Sequence, residues 1–218
     1  MKKDIRPGNW DSAAAIVVNT IADLCKSYEV ATMPDESAVQ SYVEFQFDEI
    51  VEAIFHAKEI DDEILEEQFF NLAVAALHGY SLVSNESHTS SAGLIFHTVL
   101  GKQKMYGHGN IARFEIPGIV IRMNDKLERL KNLRGFDGPI LFEPVQDTWL
   151  DICGYSIIAV MWLRGWFLLD IKKDDAEASV TSGELSEFNS HYHWQFNCQT
   201  RKEKYQVRLV LAQFLSCG

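Results

Sequence analysis

The segment that most constrains the fold is an apolar run in the C-terminal half of the chain. No residue between Asp151 and Arg164 carries a charge, and Trp149 and Leu150 extend the apolar character before Asp151. The run is too short and too interrupted for a membrane span. A helix that is apolar on every side is instead buried by its neighbours. We therefore predict a central helix over residues 144–163, around which the rest of the chain packs.

Other helices are predicted by apolar residues that recur at spacings of three and four. Over residues 36–58 they are Val39, Val43, Phe47, Ile50 and Ile54. The first helix is expected to begin at the N-cap Asp11–Ser12, the third to stop at Gly79, and the fourth to begin at the N-cap Ser91. The first hundred residues are therefore predicted to be helical.

Two stretches interrupt this pattern. Residues 84–91 are polar and predict a loop, and the glycine-punctuated residues 106–118 predict an irregular segment before a further helix at 119–134. The predicted fold class is all-α. We divide the chain into an N-terminal helical region, a core region, and a linker with a tail that fits neither helix nor strand, at residues 1–83, 91–170 and 171–218.

The length, charge and cysteine content of the chain limit the partners and the compartment that we expect for it. The chain has 218 residues, enough for one generous domain, and its 20 Lys and Arg against 31 Asp and Glu give a net charge of −11. Such a surface repels phosphate backbones, so we expect no nucleic-acid partner. The four scattered cysteines indicate reduced thiols. With no signal peptide or membrane span in the sequence, we expect a cytoplasmic protein with no membrane partner.

The helix at 119–134 carries a polar stripe that is separated from its core face by about 120°. Val120, Met123, Leu127 and Leu130 form the core face. The stripe gathers Arg122, Asp125, Lys126, Arg129 and Asn132. Such a stripe suits a polyanion with a metal ion, and it equally suits a solvated face of ion pairs.

Three carboxylates then lie on one narrow stripe of the central helix. Glu143, Asp147 and Asp151 are spaced by four residues, where like charges repel each other. In a buried position they need a positive partner. That partner is either Arg122 and Arg129 from the neighbouring helix or a divalent cation. Oxygen ligands without His or Cys favour Mg²⁺ or Mn²⁺.

Residues 102–166 resemble, in order, three motifs of the nucleotide-modification-associated domain family. These small phage and bacterial proteins are related to the MazG-like all-α nucleoside triphosphate pyrophosphohydrolases. The family's Ile-Arg-x-x-Asp-Lys-x-x-Arg-Leu-x-Asn-Leu helix matches at 121–133, and its Glu…Asp-Thr…Asp…Tyr helix matches at 143–155. Its Lys-x-x-Asp-Tyr-Gly motif matches at 102–107, except that Met105 replaces the Asp.

The resemblance implies a MazG-like helical bundle that hydrolyses a nucleoside or deoxynucleoside triphosphate to a monophosphate and pyrophosphate. It implies a homo-oligomer, a dimer or a tetramer, because such enzymes pair helices of several subunits. The implied Mg²⁺ ligands, with Mn²⁺ as the alternative metal, are Asp125, Glu143, Asp147 and Asp151, and the three aspartates are also the implied catalytic residues. The implied substrate-binding residues are Lys102, Tyr106, Gly107, Asn110, Arg122, Lys126, Arg129 and Asn132.

Two alternatives remain open. Met105 and a carboxylate spacing unlike the MazG Glu-x-x-Glu pattern fit a nucleotide-binding or partner-binding module without turnover. A helical interaction protein, in which the charged stripes merely pair, is the third reading. Glu49-x-x-Glu52 imitates the MazG pattern but is interpreted as a solvated face, and His191-x-His193 with Cys198 is interpreted as an ordinary strand or turn.

Overall fold

The apolar run forms a buried helix at the centre of a helical bundle. The structure, a computed structural model, describes residues 6–57, 61–134 and 144–172. Within these ranges it contains seven α-helices, one 3₁₀ turn at Glu29–Thr32 and no strand, which confirms the all-α fold class. The helices are α1 Trp10–Leu24, α2 Glu36–Phe55, α3 Asp62–Ser84, α4 His88–Tyr106, α5 Gly109–Ala112, α6 Glu115–Leu133 and α7 Val145–Leu163.

Helices α3 and α7 form an antiparallel central pair. The Gln146 amide at the start of α7 donates to the Val83 carbonyl at the end of α3, and Arg164 after α7 donates to Glu66 near the start of α3. Helices α1 and α4 pack together and against both central helices, whereas α2 packs on α3, α6 packs on α7, and α2 contacts α6. The helices of the region 1–83 therefore share one core with those of the region 91–170.

Gly79 does not end the third helix, as the sequence predicted, because α3 continues to Ser84. A Cβ added at Gly79 would lie 2.8 Å from ring atoms of Trp149. The glycine therefore allows α7 to approach α3 with its largest side chain between them. The buried Trp149 indole in turn donates through Nε1 to a Glu36 carboxylate oxygen at 2.9 Å, which ties α2 to this pair.

Helix starts also differ from the predicted positions. Asn9, not Asp11 or Ser12, caps α1 by accepting from the Ser12 amide. Ser87, not Ser91, caps α4 by accepting from the Ser90 amide, so most of the predicted polar loop is helix.

The predicted irregular segment 106–118 is largely helical as well. It contains the short helix α5 and the first turn of α6. In the part of the chain that the structure covers, no helix is long and apolar enough to cross a membrane. Glu143 and the tail from residue 173 onward lie outside the described residues.

Candidate functional site

Two lysines from different helices meet at one aspartate of α7. The Lys102 Nζ of α4 lies 2.5 Å from one carboxylate oxygen of Asp151, and the Lys126 Nζ of α6 lies 2.8 Å from the other. We call these three residues the lysine–aspartate cluster. Gly154, one turn further along α7, admits α4 closely, since an added Cβ there would lie 3.1 Å from a Val99 methyl group. The cluster thus joins α4, α6 and α7.

The lysines determine the charge of Asp151. Partial burial by itself would raise the pKa of this carboxyl group, but the hydrogen bonds and charges of Lys102 and Lys126 outweigh burial and lower the pKa. Asp151 is therefore ionised at neutral pH. Two ammonium groups and one carboxylate leave the cluster with a net positive charge in a protein whose overall charge is −11.

Arg129 adds a cation beside the lysine–aspartate cluster. Its guanidinium donates to the hydroxyl of Thr148, which is fully buried in the first turn of α7. The sequence left two partners open for the carboxylates of α7, either Arg122 and Arg129 or a divalent cation. For Asp151 the structure shows two lysines in contact with the carboxylate, Lys126 of α6 and Lys102 of α4.

The other predicted site residues lie at or near the surface. Tyr106 is 62% exposed at the end of α4, and it is followed by Gly107, whose φ of 64° suits glycine. Arg122, Gly107 and Asn110 are half-buried, and the Asn110 side-chain oxygen has no hydrogen-bond partner among the described residues. The remaining predicted residues, all exposed, are Asp125, Asn132 and Asp147.

The described carboxylates do not form a Mg²⁺ site held by the protein alone. Both oxygens of Asp151 are taken by ammonium groups. Across residues 6–57, 61–134 and 144–172, no three His, Cys, Asp or Glu side chains are grouped so that they could hold a metal ion. Glu143, the fourth predicted ligand, lies outside these ranges.

Sequence reasoning missed a second polar contact, the histidine pair His78 and His88. The His78 Nδ1 of α3 lies 2.9 Å from the His88 Nε2 at the first residue of α4, and the rings are tilted by 55°. Burial and the nearby His78 lower the pKa of His88. Two histidines ten residues apart, one within α3 and one at the start of α4, form no recognised motif, so only the packing of α3 against α4 reveals the pair.

Comparison with known proteins yielded no match to a protein-family model, to a curated protein or to a solved structure.

Proposed function

We propose that the chain binds the phosphate groups of a nucleoside triphosphate at the lysine–aspartate cluster. The observation that carries this proposal is the convergence of the Lys102 and Lys126 ammonium groups on the two oxygens of Asp151. Ammonium groups spaced for a two-oxygen anion are also spaced for phosphate oxygens. Because the side chain of Lys102 is 50% exposed, it can turn towards a bound ligand without loss of core packing.

The surrounding residues support a polyphosphate rather than a single carboxylate as the ligand. Arg129 and the half-buried Arg122 extend the basic surface along α6. A guanidinium grips two phosphate oxygens together, whereas a lysine acts as a point charge. Together with Lys102 of α4 and Lys126 of α6, the two arginines supply four cations, which would bind the several negative charges of a triphosphate.

Tyr106 supplies a surface for the base. It lies four residues after Lys102, so both residues share one face of α4. Its ring is largely exposed, and exposed aromatic rings stack on nucleobases with a gain of about 1–3 kcal/mol per base.

A second candidate function at the same cluster is Mg²⁺-dependent hydrolysis between the α and β phosphates, which releases pyrophosphate. The observation that favours it is Asp147, an exposed carboxylate one helical turn before Asp151. Mg²⁺ commonly enters a site with the substrate phosphates and uses only one or two protein carboxylates. In this candidate the metal arrives as part of the nucleotide complex, and Asp147 is its first protein contact.

The binding proposal is tested by titrating wild type, K102A and K126A with a panel of nucleoside and deoxynucleoside triphosphates, using calorimetry. We expect each substitution to weaken binding about tenfold, which corresponds to about 1.4 kcal/mol. The matched control is K131A, because Lys131 lies on the same helix but pairs with Glu128. No binding by wild type, or equal weakening by K131A, would reject the proposal.

The two candidate functions are distinguished by two measurements, each made on one aspartate variant. A binding module gains affinity for metal-free triphosphate in D151N, because a carboxylate that repels phosphate has been removed. A hydrolase releases pyrophosphate in the presence of Mg²⁺ or Mn²⁺, stops in EDTA, and loses turnover in D147N. Metal-independent binding without product would leave the binding module as the function.

The resemblance also leads us to propose a homodimer or homotetramer in the cytoplasm. Paired helices of two subunits would then enclose each site. Sedimentation of the purified full chain at several concentrations measures the oligomeric state, and a single species of about the monomer mass would reject it.

A further inference from the structure

Helix α6 carries an exposed apolar face at its N-terminal end. Phe114, Gly118 and Ile121 follow one another at spacings of four and three residues, so they lie on one side of the helix. We call these three residues the exposed apolar face. Phe114 is 60% exposed and Ile121 is 58% exposed, whereas Met123 and Leu127 on the core side of α6 are buried. Grouped apolar side chains on a surface, in contrast to scattered single ones, mark a contact with another molecule.

The backbone is strained where it presents Phe114 to solvent. Glu115, the next residue, has a φ of 52°, a left-handed value that non-glycine residues adopt at a cost in free energy. Gly118 leaves the space that Phe114 needs, since an added Cβ at this glycine would lie 2.5 Å from the Cβ of Phe114. Strain that persists beside an exposed side chain indicates that a function depends on the position of that side chain.

The two ends of this face carry opposite charges. The Arg113 guanidinium lies 5.4 Å from the centre of the Phe114 ring, which puts a positive charge at the N-terminal end. The same side of α6 continues with Asp125, an exposed carboxylate four residues after Ile121. A surface with this order of charges is complementary to a second copy of itself that runs in the opposite direction. Parallel copies would bring like charges together.

The apolar side chains are self-complementary in the same direction. Large side chains lie at both ends of the exposed apolar face and a glycine lies between them, so the order is the same from either end. In an antiparallel pair, Phe114 of one copy therefore meets Ile121 of the other. Gly118 then lies where the two helices cross, and a residue without a side chain there allows the backbones to approach closely.

We propose that two copies of the chain pair through the exposed apolar face, with their α6 helices antiparallel about a two-fold axis. Such an axis makes each contact occur twice, so Arg113 of each copy comes within reach of Asp125 of the other. The proposal rests on the homodimer of the proposed function and assigns it a surface. It does not depend on triphosphate binding at the lysine–aspartate cluster.

Sedimentation equilibrium of the full chain over a range of concentrations measures the affinity of the dimer. I121D puts a carboxylate against the Phe114 ring, so we expect it to weaken the dimer at least about thirtyfold, the size of a hot-spot substitution. The matched control is I64D, because Ile64 is 54% exposed on α3, and this variant should dimerise like wild type. Both positions are exposed, so circular dichroism should show an unchanged helical fold.

A charge exchange tests the antiparallel direction. R113D and D125R should each weaken the dimer about tenfold, because each brings like charges together at both ends of the contact. The double variant R113D/D125R should regain the wild-type affinity, since opposite charges face each other again. In a parallel dimer each position would face its own copy, and the double variant would regain nothing.

Three results would each overturn the proposal: a wild-type chain that is a monomer at all concentrations, equal dimer affinity in I121D and wild type, or a double variant no tighter than the single ones. Equal affinity in I121D would reject the surface and leave the homodimer standing. This failure is distinguishable from that of the phosphate-binding proposal, because the dimer is read from sedimentation and triphosphate binding from calorimetry of K102A and K126A.

Discussion

The bundle contains two polar clusters of opposite character. The lysine–aspartate cluster is fully charged and partly open to water, with 50%, 22% and 16% of the Lys102, Lys126 and Asp151 side chains exposed. The histidine pair is instead joined by one hydrogen bond between the two rings, and His78 is buried. Of the two clusters, the ion-paired one is the more open to solvent and ligands, and the histidine pair is the more buried contact between helices.

This difference has an energetic reason. A charge removed from water costs several kcal/mol unless it is fully paired, whereas a neutral imidazole needs only its hydrogen bonds. A partly exposed ion pair contributes at most about 1 kcal/mol, and salt screens it. We therefore expect changes in the histidine pair to alter stability, and changes in the lysine–aspartate cluster to alter ligand binding.

The largest effect on stability is expected for H78A. The substitution leaves a cavity in the core and removes the hydrogen-bond partner of both the Met33 carbonyl and the His88 ring. A cavity and lost buried hydrogen bonds together cost about 2–4 kcal/mol. Urea denaturation should show this loss, with H97A as the exposed control. A change in H78A of no more than about 0.5 kcal/mol would mean that the pair contributes no stability.

A smaller effect is expected from acid. The pKa of His88 is lowered by burial and by His78 from its ordinary value of 6.5, so the unfolded chain takes up this proton at a higher pH than the folded chain. The unfolding free energy should therefore fall as the pH drops below about 6.5 and level off below the folded pKa. In H88A this part of the pH dependence should disappear. An identical profile for wild type and H88A between pH 7 and 5 would contradict it.

The sequence predicted most of the fold because periodicity and burial decide it. Helix α2 follows from the spacing of its apolar residues, and α7 follows from its continuous apolar run. The ends of two helices were predicted wrongly, because residues that usually end or begin a helix are used there for contacts with distant parts of the chain. Gly79 looks like a stop until Trp149, seventy residues later in the chain, is known to need its space. Ser91 looks like a cap, but it is buried, with its hydroxyl 3.1 Å from that of Ser81.

For the candidate site, the sequence predicted which residues of α6 and α7 are involved, but it did not predict which of the basic residues forms an ion pair with Asp151. The spacing of Lys126 and Arg129 on α6 and of Asp147 and Asp151 on α7 placed these residues on facing stripes. Which cation meets Asp151 depends on how closely α4 approaches at Gly154, and that approach is a property of the packed bundle. The sequence therefore gave no reason to prefer the lysines to the arginines.

D151N should reduce stability less than H78A does. It leaves the Lys102 and Lys126 ammonium groups close together without the carboxylate between them, and it removes two partly exposed ion pairs. We expect a loss of about 1 kcal/mol or less at low salt, and less at high salt because the remaining repulsion is screened. Urea denaturation at two salt concentrations measures both. A loss above about 3 kcal/mol would contradict this expectation, because the lysine–aspartate cluster would then contribute as much to stability as the histidine pair.

The smallest effect is expected where an ion pair lies wholly at the surface. Lys131 and Glu128 are 2.7 Å apart on α6, with 43% and 51% of their side chains exposed, and the pair is made by residues three apart on one helix. Such pairs contribute about 0.2–0.5 kcal/mol. K131A should therefore change the unfolding free energy by no more than this, although its charge equals that of Lys126. If K131A and K126A lowered stability equally and bound triphosphate equally, charge alone would explain the behaviour of α6. A difference confined to triphosphate binding would show that the position of Lys126 beside Asp151 matters.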